Sequence, residues 1–466
     1  MKFALLDQIR CSCGNEELRL ESAVTRRSLS IGPAEPVQCR KFCGLRQRPV
    51  LPGEARPPDC RQCYGQVVVQ GVIRCTCGEN WPIVDGIPAF STRRIGRAST
   101  TGLFLTETNP RTDPRWEPFV SAHPNAVIYH HPGWIRALEE EYGQRRVHFA
   151  CEDADGRLMA VLPMFYTRGF PLRVGGNATQ RRLSSLPRTP LAGPLSINRD
   201  ATAALLQAAV DRALQEPGLQ IQIKTQSPDL DGLVKGVVCR PWRASYVLKL
   251  PSDPESLQFG NSTARHRIKW AVNKAAKLGV EVREAIGEKD LRTWYELYLH
   301  SMRRNAVPAR PYRFFQAIWA LLASSGLMRL LLAERAEAGG RRLLAGTIIL
   351  NYGRTACYAF TGCRKEDLAL HPNDAIQWHA IHDACRKGFD RYDFGEVAEE
   401  HQQLAQFKGK WGAEPVPLFR YYYPAPQLSS DGEISSQWVG RIRTAVWPRL
   451  PLHATARLGD WIYSYL

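Results

Sequence analysis

Of thirteen cysteines, eight crowd into the first 77 residues, and these are the side chains of the chain best suited by type and spacing to chemistry. They form four close pairs: Cys11-Ser-Cys13, Cys39-x-x-x-Cys43, Cys60-x-x-Cys63 and Cys75-Thr-Cys77. A structural zinc ion takes four soft ligands in a tetrahedron, and two such pairs joined by a loop supply them. Gly14, Gly44 and Gly78 follow three of the pairs and let the backbone turn tightly around a metal. The expectation is one or two structural zinc ions held by Cys11, Cys13, Cys39, Cys43, Cys60, Cys63, Cys75 and Cys77. Outer pair with outer pair and inner with inner is the simplest arrangement, although spacing alone does not fix it. Protein would fill all four positions on each ion, leaving none for catalysis. Cys151, Cys239, Cys357, Cys363 and Cys385 are scattered through apolar or helical settings and read as small core residues.

A second constellation is cationic. In Ser262–Gly279, Ile268, Ala271, Val272, Ala275 and Leu278 fall on one side at helical spacing, while Arg265, Arg267, Lys269, Lys274 and Lys277 spread over the other. Ser262 is the expected cap and Gly279 the stop. Such a helix can meet the phosphates of a tRNA or a nucleotide-linked substrate, with a solvated face as the competing reading. Among histidines, Tyr129-His130-His131 reads as a strand whose adjacent rings point to opposite faces and cannot share an ion. His131 is expected to pack beside Pro132 and Trp134, and His379 and His382 to be exposed.

Elements must position these groups. Arg146–Cys151 and Arg157–Tyr166 flank the turn Asp153-Ala-Asp-Gly156 and predict a hairpin. A helix over Ala201–Glu216 stops at Pro217-Gly218 and feeds a short strand over Leu219–Lys224. The order then repeats: strands over Met328–Arg335, Arg341–Tyr352 and Ala356–Thr361, a helix over Asn373–Lys387, and a returning strand over Asp390–Phe394. The fold class expected is α+β, two tandem domains of mixed sheet flanked by helices behind the cysteine module. The boundaries are 1–92 for the module, 93–112 a linker, 113–250 the first copy, 251–425 the second and 426–466 a tail. The tail mixes aromatic and cationic residues, so peripheral membrane contact and docking on the body both stay open.

Composition narrows the class. No run of eighteen apolar residues suggests a membrane span. The start Met1-Lys2-Phe3-Ala4-Leu5-Leu6-Asp7 lacks a secretory apolar stretch, so a cytoplasmic location is expected. Lys and Arg outnumber Asp and Glu by 62 to 45, a net +17. Two zinc ions on eight thiolates would bring this to roughly +13, still the balance of a chain that meets polyanions.

Two resemblances add to this reading. Residues 5–14 and 73–90, above all Trp81-Pro-Ile-Val-Asp-Gly-Ile-Pro88, resemble the halves of the small zinc-ribbon proteins that activate methyltransferases. The Cys-x-Cys knuckles depart from that family's Cys-x-x-Cys. Residues 113–424 resemble the FemAB-like branch of the GNAT superfamily. The first copy carries this in Asp113-Pro-Arg-Trp116, His131-Pro-Gly-Trp134 and Leu186-Pro187 through Gly193-Pro-Leu195. The second carries it in His371-Pro-Asn373, Tyr392-Asp-Phe-Gly395 and Phe407-Lys-Gly-Lys-Trp-Gly-Ala-Glu414.

The FemAB-like resemblance implies two GNAT-like domains that move an aminoacyl group from aminoacyl-tRNA onto an amine of a peptide, sugar nucleotide or natural-product intermediate. It implies Lys408, Phe407 and Asp393 as the catalytic set, Lys408 stabilising charge and Lys410, two residues on in an extended segment, pointing away. It also implies substrate contacts at Arg265, Lys269, Lys277, Asn373, Trp378, Tyr358 and Trp411. Cys363–Asn373 has no glycine to cradle a CoA pyrophosphate, which counts against a simple acetyltransferase, with the first copy or another carrier left open. An acyl-CoA or carrier-protein transferase is the first alternative. A zinc-ribbon activator of a methyltransferase, with an inert body, is the second.

Overall fold

A computed structural model describes residues 102–168, 181–426 and 446–465 continuously. Before them it describes residues 9, 11, 18–27, 42–43, 46, 48–50, 60, 66–76, 80–84, 87–88 and 93–97. The chain divides into two units, Met1–Pro118 with Glu152–Leu158, and Phe119–Cys151 with Met159–Leu466.

In the first unit, β1 (Leu18–Arg27), β4 (Gln66–Cys75), β5 (Asn80–Val84) and β6 (Ile87–Pro88) make one antiparallel sheet in that order, and β2 (Phe42–Cys43) pairs with β3 (Arg48–Pro49). Period-two alternation puts Leu18 and Leu20 on one face with Val68, Ile73, Trp81 and Ile83, all buried. Cys11 and Cys75 lie in that same cluster, whereas Cys43 and Cys60 share a separate one with Val50. Each described cysteine thus comes from a different expected pair. Cys13, Cys39, Cys63 and Cys77 lie outside the described residues. The expected linker contains β7 (Arg93–Arg97) and β8 (Phe104–Thr108), an antiparallel pair. The alternation of Phe104-Leu-Thr-Glu-Thr108 is too short and too polar to announce a strand by periodicity alone.

The second unit holds both copies in one continuous sheet. Its first-copy strands are β9 (Arg146–Glu152), β10 (Leu158–Thr167), β11 (Arg182–Ser184), β12 (Leu195–Ser196), β13 (Gln220–Thr225) and β14 (Val238–Lys249). Its second-copy strands are β15 (Val280–Glu284), β16 (Met328–Glu337), β17 (Gly340–Tyr352), β18 (Thr355–Cys363), β19 (Arg391–Val397) and β20 (Glu414–Tyr423). Across the sheet the order is β15-β16-β17-β18-β19-β14-β20-β13-β11-β10-β9, with β12 on β10. The expected hairpin, meander and returning strand are all present. β14, assigned to the first copy by its place in the chain, pairs on both sides with second-copy strands, β19 and β20.

Eight helices matter for the site: α1 (Pro132–Tyr142), α2 (Arg199–Gln215), α3 (Ser262–Lys277), α4 (Glu288–Arg304), α5 (Tyr312–Leu322), α6 (Pro372–Arg386), α7 (Gln402–Lys410) and α8 (Leu452–Tyr463). α6 and the apolar stripe of α3 (Ile268, Ala275) share a core with Leu331, Leu344, Ile376, Ile381, Tyr392 and Trp411. The α3 cap is Asn261 rather than Ser262: its Oδ1 accepts from the Ala264 amide at 2.9 Å. Leu278 follows the last helical turn and is exposed, because the stripe has already ended at Ala275.

Helix α1 of the first copy packs on α5 of the second, with Trp134 edge-on to Phe314 at 5.4 Å. Beside this contact the buried Arg310 donates to both Glu141 oxygens at 3.2 and 3.1 Å and lies over the Phe314 ring. His131 caps α1 through Nδ1, which accepts from the Gly133 amide. Tyr129 and His130 belong to a short 3-10 turn, not a strand, since Pro132 opens the helix immediately after.

Candidate active site at an open strand wedge

Parallel pairing occurs at β18/β19, and it lasts for three residue pairs, Thr355–Cys357 against Arg391–Asp393. Beyond that the strands part. On β18 an extra residue, Ala359, lies between the partners of Ile348 and Ile349. On β19 the residues Phe394 and Gly395 oppose the single Tyr246 of β14. Bulges bend a strand and increase its local twist. Gly395 takes a φ of +79°, a conformation that glycine adopts without steric cost. Asp393 fixes this bulge: its Oδ1 accepts from the Ser245 hydroxyl at 2.6 Å and from the Gly395 amide at 2.8 Å.

The wedge opens into a cavity of about 670 Å³ lined by both copies. Tyr358–Thr361 and Phe394–Glu396 form its wedge side, with Phe407 and Lys408 from α7 at the mouth. Arg182, Ser184, Gln222, Lys224 and Arg420 form its floor, and Tyr129, Trp134 and residues 187–190 complete the walls.

Lys408 is 3% exposed, and its Nζ donates to Gly395 O at 2.8 Å and Glu396 O at 3.3 Å. An ammonium has three N–H donors, so one remains for the cavity. Burial pushes its pKa down to about 8, against the opposing pull of Asp393 and Glu396. It is therefore mostly charged at neutral pH yet can give up a proton.

The expected site residues separate into two groups. Lys408, Phe407 and Tyr358 meet in the cavity. Asp393 lies behind it, lining a different cavity of about 310 Å³, and acts as the peg of the β19 bulge. Trp411 is fully buried in the α3/α6 core, edge-on to Phe259 at 5.5 Å, and therefore does not line the cavity. Trp378 packs against the same core beside His382, and Asn373 lies in the first turn of α6, so neither reaches the cavity. His382 is buried, its Nδ1 within 2.8 Å of Trp378 O, where exposure was expected. Lys410 does point away from Lys408, but on a helix, where residues two apart lie on opposite sides. Its Nζ pairs with Asp374 at 2.5 Å. Arg265, Lys269 and Lys277 are exposed on α3, outside the cavity.

Sequence reasoning missed the cavity floor and one wall. Gln220-Ile-Gln-Ile-Lys224 is buried on both faces, and its polar alternation was the available signal. The wall comes from the C-terminal segment, which docks on the body. Asp460 pairs with Arg313 at 2.6 Å and accepts from the Tyr142 hydroxyl at 2.7 Å, while Tyr463 O accepts from Arg188 at 2.8 Å. Gly459 permits this, since a Cβ there would lie 2.4 Å from Ala309 O. Tyr463 and Tyr465 thereby line the cavity.

Comparison with known proteins agrees with this fold. Residues 262–403 match the family described as Acetyltransferase (GNAT) domain. No curated protein matches the chain. Among solved structures it is similar to FemX, with a TM-score of 0.54 and 17% identity over 72% of this chain and 99% of that one. It also matches a tandem GNAT protein from the clavulanic acid biosynthesis pathway, with a TM-score of 0.42 and 12% identity over 70% of this chain and 100% of that one. A further match is the C-terminal domain of a putative lysylphosphatidylglycerol synthetase from Agrobacterium fabrum, with a TM-score of 0.45 and 10% identity over 70% and 95%. Of these three, FemX is the one whose score bears on the fold. Residues 262–403 are thus similar to a GNAT-type acetyltransferase domain, within a fold similar to that of FemX.

Proposed function

We propose that this protein is an N-acyltransferase that forms an amide bond, moving an aminoacyl group from aminoacyl-tRNA onto an amine. The observation that carries the reading is the buried Lys408 ammonium at the mouth of the β18/β19 wedge. A neutral acceptor amine attacks the ester carbonyl, and the N–C bond forms as a tetrahedral oxyanion develops. The remaining Lys408 N–H stabilises that charge, as a donor already held in place by its bonds to Gly395 O and Glu396 O. The C–O ester bond then breaks, and the proton lost by the amine leaves on the ribose hydroxyl.

Two features support tRNA as donor. Among the described residues, Arg265, Arg267, Lys269 and Lys277 of α3 have no carboxylate within ion-pair distance, and α3 packs against α7, the helix that carries Lys408. By contrast, Arg283, Arg329, Arg341 and Arg342 on β15, β16 and β17 are all ion-paired. The segment before α6 is a short 3-10 helix, Glu366–Leu370, whose buried Asp367 pairs with Arg342, a poor cradle for a pyrophosphate.

The test offers purified protein two donors in parallel, total tRNA charged with labelled amino acids and labelled acetyl-CoA, with a pool of small amines as acceptor. Label moving into an amide from tRNA alone is expected; transfer from CoA alone would reject the tRNA reading. Binding of uncharged tRNA should weaken by about 10³–10⁵ between 50 and 200 mM salt, and replacing Arg265, Lys269 and Lys277 by Gln should flatten that slope. An unchanged slope would return α3 to the role of a solvated face.

The cysteine module is proposed to hold structural zinc. Cys11 shares a buried cluster with Cys75, and Cys43 shares another with Cys60, which suits outer-with-outer and inner-with-inner pairing. The metal would add folding free energy to a unit with a small apolar core. Elemental analysis of protein purified without added metal should find about two zinc ions per chain; a value near zero would end the proposal.

A further inference from the structure

The cavity floor carries an arrangement that acyl transfer at Lys408 does not need. Along β11, β13 and β20, alternate residues present one face: Arg182 and Ser184, then Gln222 and Lys224, then Arg420 and Tyr422. Lys224 lies directly across from Arg420 in the antiparallel register. Like charges in that position repel and destabilise the pair.

Among the described residues no ion pair holds either of them, although Glu396 exerts a weaker favourable pull on both. Lys224 is 5% exposed, and its Nζ donates to Leu186 O at 2.9 Å and Thr189 O at 3.1 Å, two neutral carbonyls. The Arg420 guanidinium is stacked over the Trp242 ring at 3.3 Å. Among the described residues neither cation has a carboxylate within ion-pair distance. Glu396 is the one carboxylate among the cavity-lining residues, and both its oxygens are taken, Oε1 by Arg243 at 2.9 Å and Oε2 by Trp242 Nε1 at 3.2 Å. Burial, and next the repulsion of Arg420, disfavour the charged form of Lys224. Buried charges without an ionic partner are costly, and an arriving anion offsets that cost.

We propose that this floor is an anion site centred on Lys224 and Arg420, which holds a phosphate or carboxylate group of the acceptor across the cavity from Lys408. Naming the bound molecule the acceptor rests on the acyl-transfer reading; the anion site itself does not. Lys224 has one N–H left beyond its two carbonyl bonds, and Arg420 brings a planar fork suited to paired oxygens. The acceptor would then be a small molecule with an amine at one end and an anionic group at the other. Its anionic group would sit where β13 of the first copy meets β20 of the second, and its amine would reach the β18/β19 wedge.

Isothermal titration calorimetry at constant ionic strength tests this with two probes, inorganic pyrophosphate and succinate. The full-length protein should bind at least one of them at one site per chain. Pyrophosphate alone would identify a phosphate-bearing acceptor, and succinate alone a carboxylate-bearing one. Arg420→Gln should weaken binding about tenfold or more, the loss expected for a charge-assisted hydrogen bond. Lys224→Met should do the same, and if it fails to fold, Arg420→Gln carries the test alone. Lys408→Met, at the wedge end, should retain binding of the anion within a few-fold. Absence of binding for both probes, or unchanged affinity in Arg420→Gln, would overturn the anion site. A protein that binds the anion but transfers no acyl group would keep the site and remove the reading of its ligand as acceptor.

Discussion

The same strand arrangement occurs twice in the second unit, once plugged and once open. In the first copy β11 and β13 pair in parallel over Arg182–Ser184 and Gln220–Gln222, as β18 and β19 do in the second. Beyond the last pair the first-copy chain stays against its neighbour: Ser185 N donates to Gln222 O, and Ala192 N donates to Lys224 O. Residues 186–190 fill the space between, with Leu186 and Arg188 at positive φ, a backbone cost that Lys224 and the Thr189 hydroxyl hold in place. In the second copy the strands part at two bulges and the space is cavity. On the proposed reading the plugged wedge helps to build an anion-binding floor and the open one takes the reacting carbonyl, so that two copies of one arrangement divide binding from chemistry.

The comparison can be broken most severely at Gly395. Gly395→Val places a β-branched side chain at φ +79°, about 1–3 kcal/mol of strain, and should pull Lys408 off the carbonyls that hold it. Misplacing a catalytic group by about 1 Å can cost about 10² in rate, and turnover should fall by that order while anion binding at Lys224 and Arg420 persists. Loss of anion binding with turnover intact would reverse the assignment of the two wedges.

A smaller effect separates the copies by pH. His130, bonded at 3.0 Å to Gly193 O of the first copy, is held neutral by burial, which lowers its pKa to about 4. Its folded value lies below the ordinary 6.5, so the unfolded chain binds the extra proton first. The stabilisation is present above about pH 6.5 and is lost as pH falls toward 4, on the order of 3 kcal/mol in all. Melting curves at pH 7 and pH 4.5 should show this loss, and His130→Gln should reduce it. An unchanged pH dependence in the variant would assign the acid sensitivity to other groups.

Much of this architecture was legible in the chain. Strands Met328–Glu337 and Gly340–Tyr352 and helix Pro372–Arg386 announce themselves by periodicity and by Gly and Pro punctuation. The cationic arc of α3 was legible too, because its buried stripe has the helical period. Lys408 was reached through a resemblance. The same resemblance placed Trp411 at the site, whereas it is buried in the α3/α6 core, since a tryptophan three residues after Lys408 can as readily anchor packing. The cavity floor was hidden because Arg182, Lys224 and Arg420 come together through strand order, across a sheet in which β20 inserts beside β13. Tyr463 was hidden because its wall depends on a docking contact at Gly459 that no local pattern encodes.

The central claim is that the Lys408 ammonium stabilises the developing oxyanion at the open wedge. It is tested most directly by single-turnover transfer of labelled amino acid from charged tRNA, comparing the parent with Lys408→Met and Lys410→Met. A fall of about 10²–10³ is expected for Lys408→Met with the fold and tRNA binding intact, and a much milder change for Lys410→Met. Above pH 8 the parent rate should decline as Lys408 loses its proton, and the residual Lys408→Met rate should lack that decline. Equal transfer rates for the parent and Lys408→Met would contradict the account.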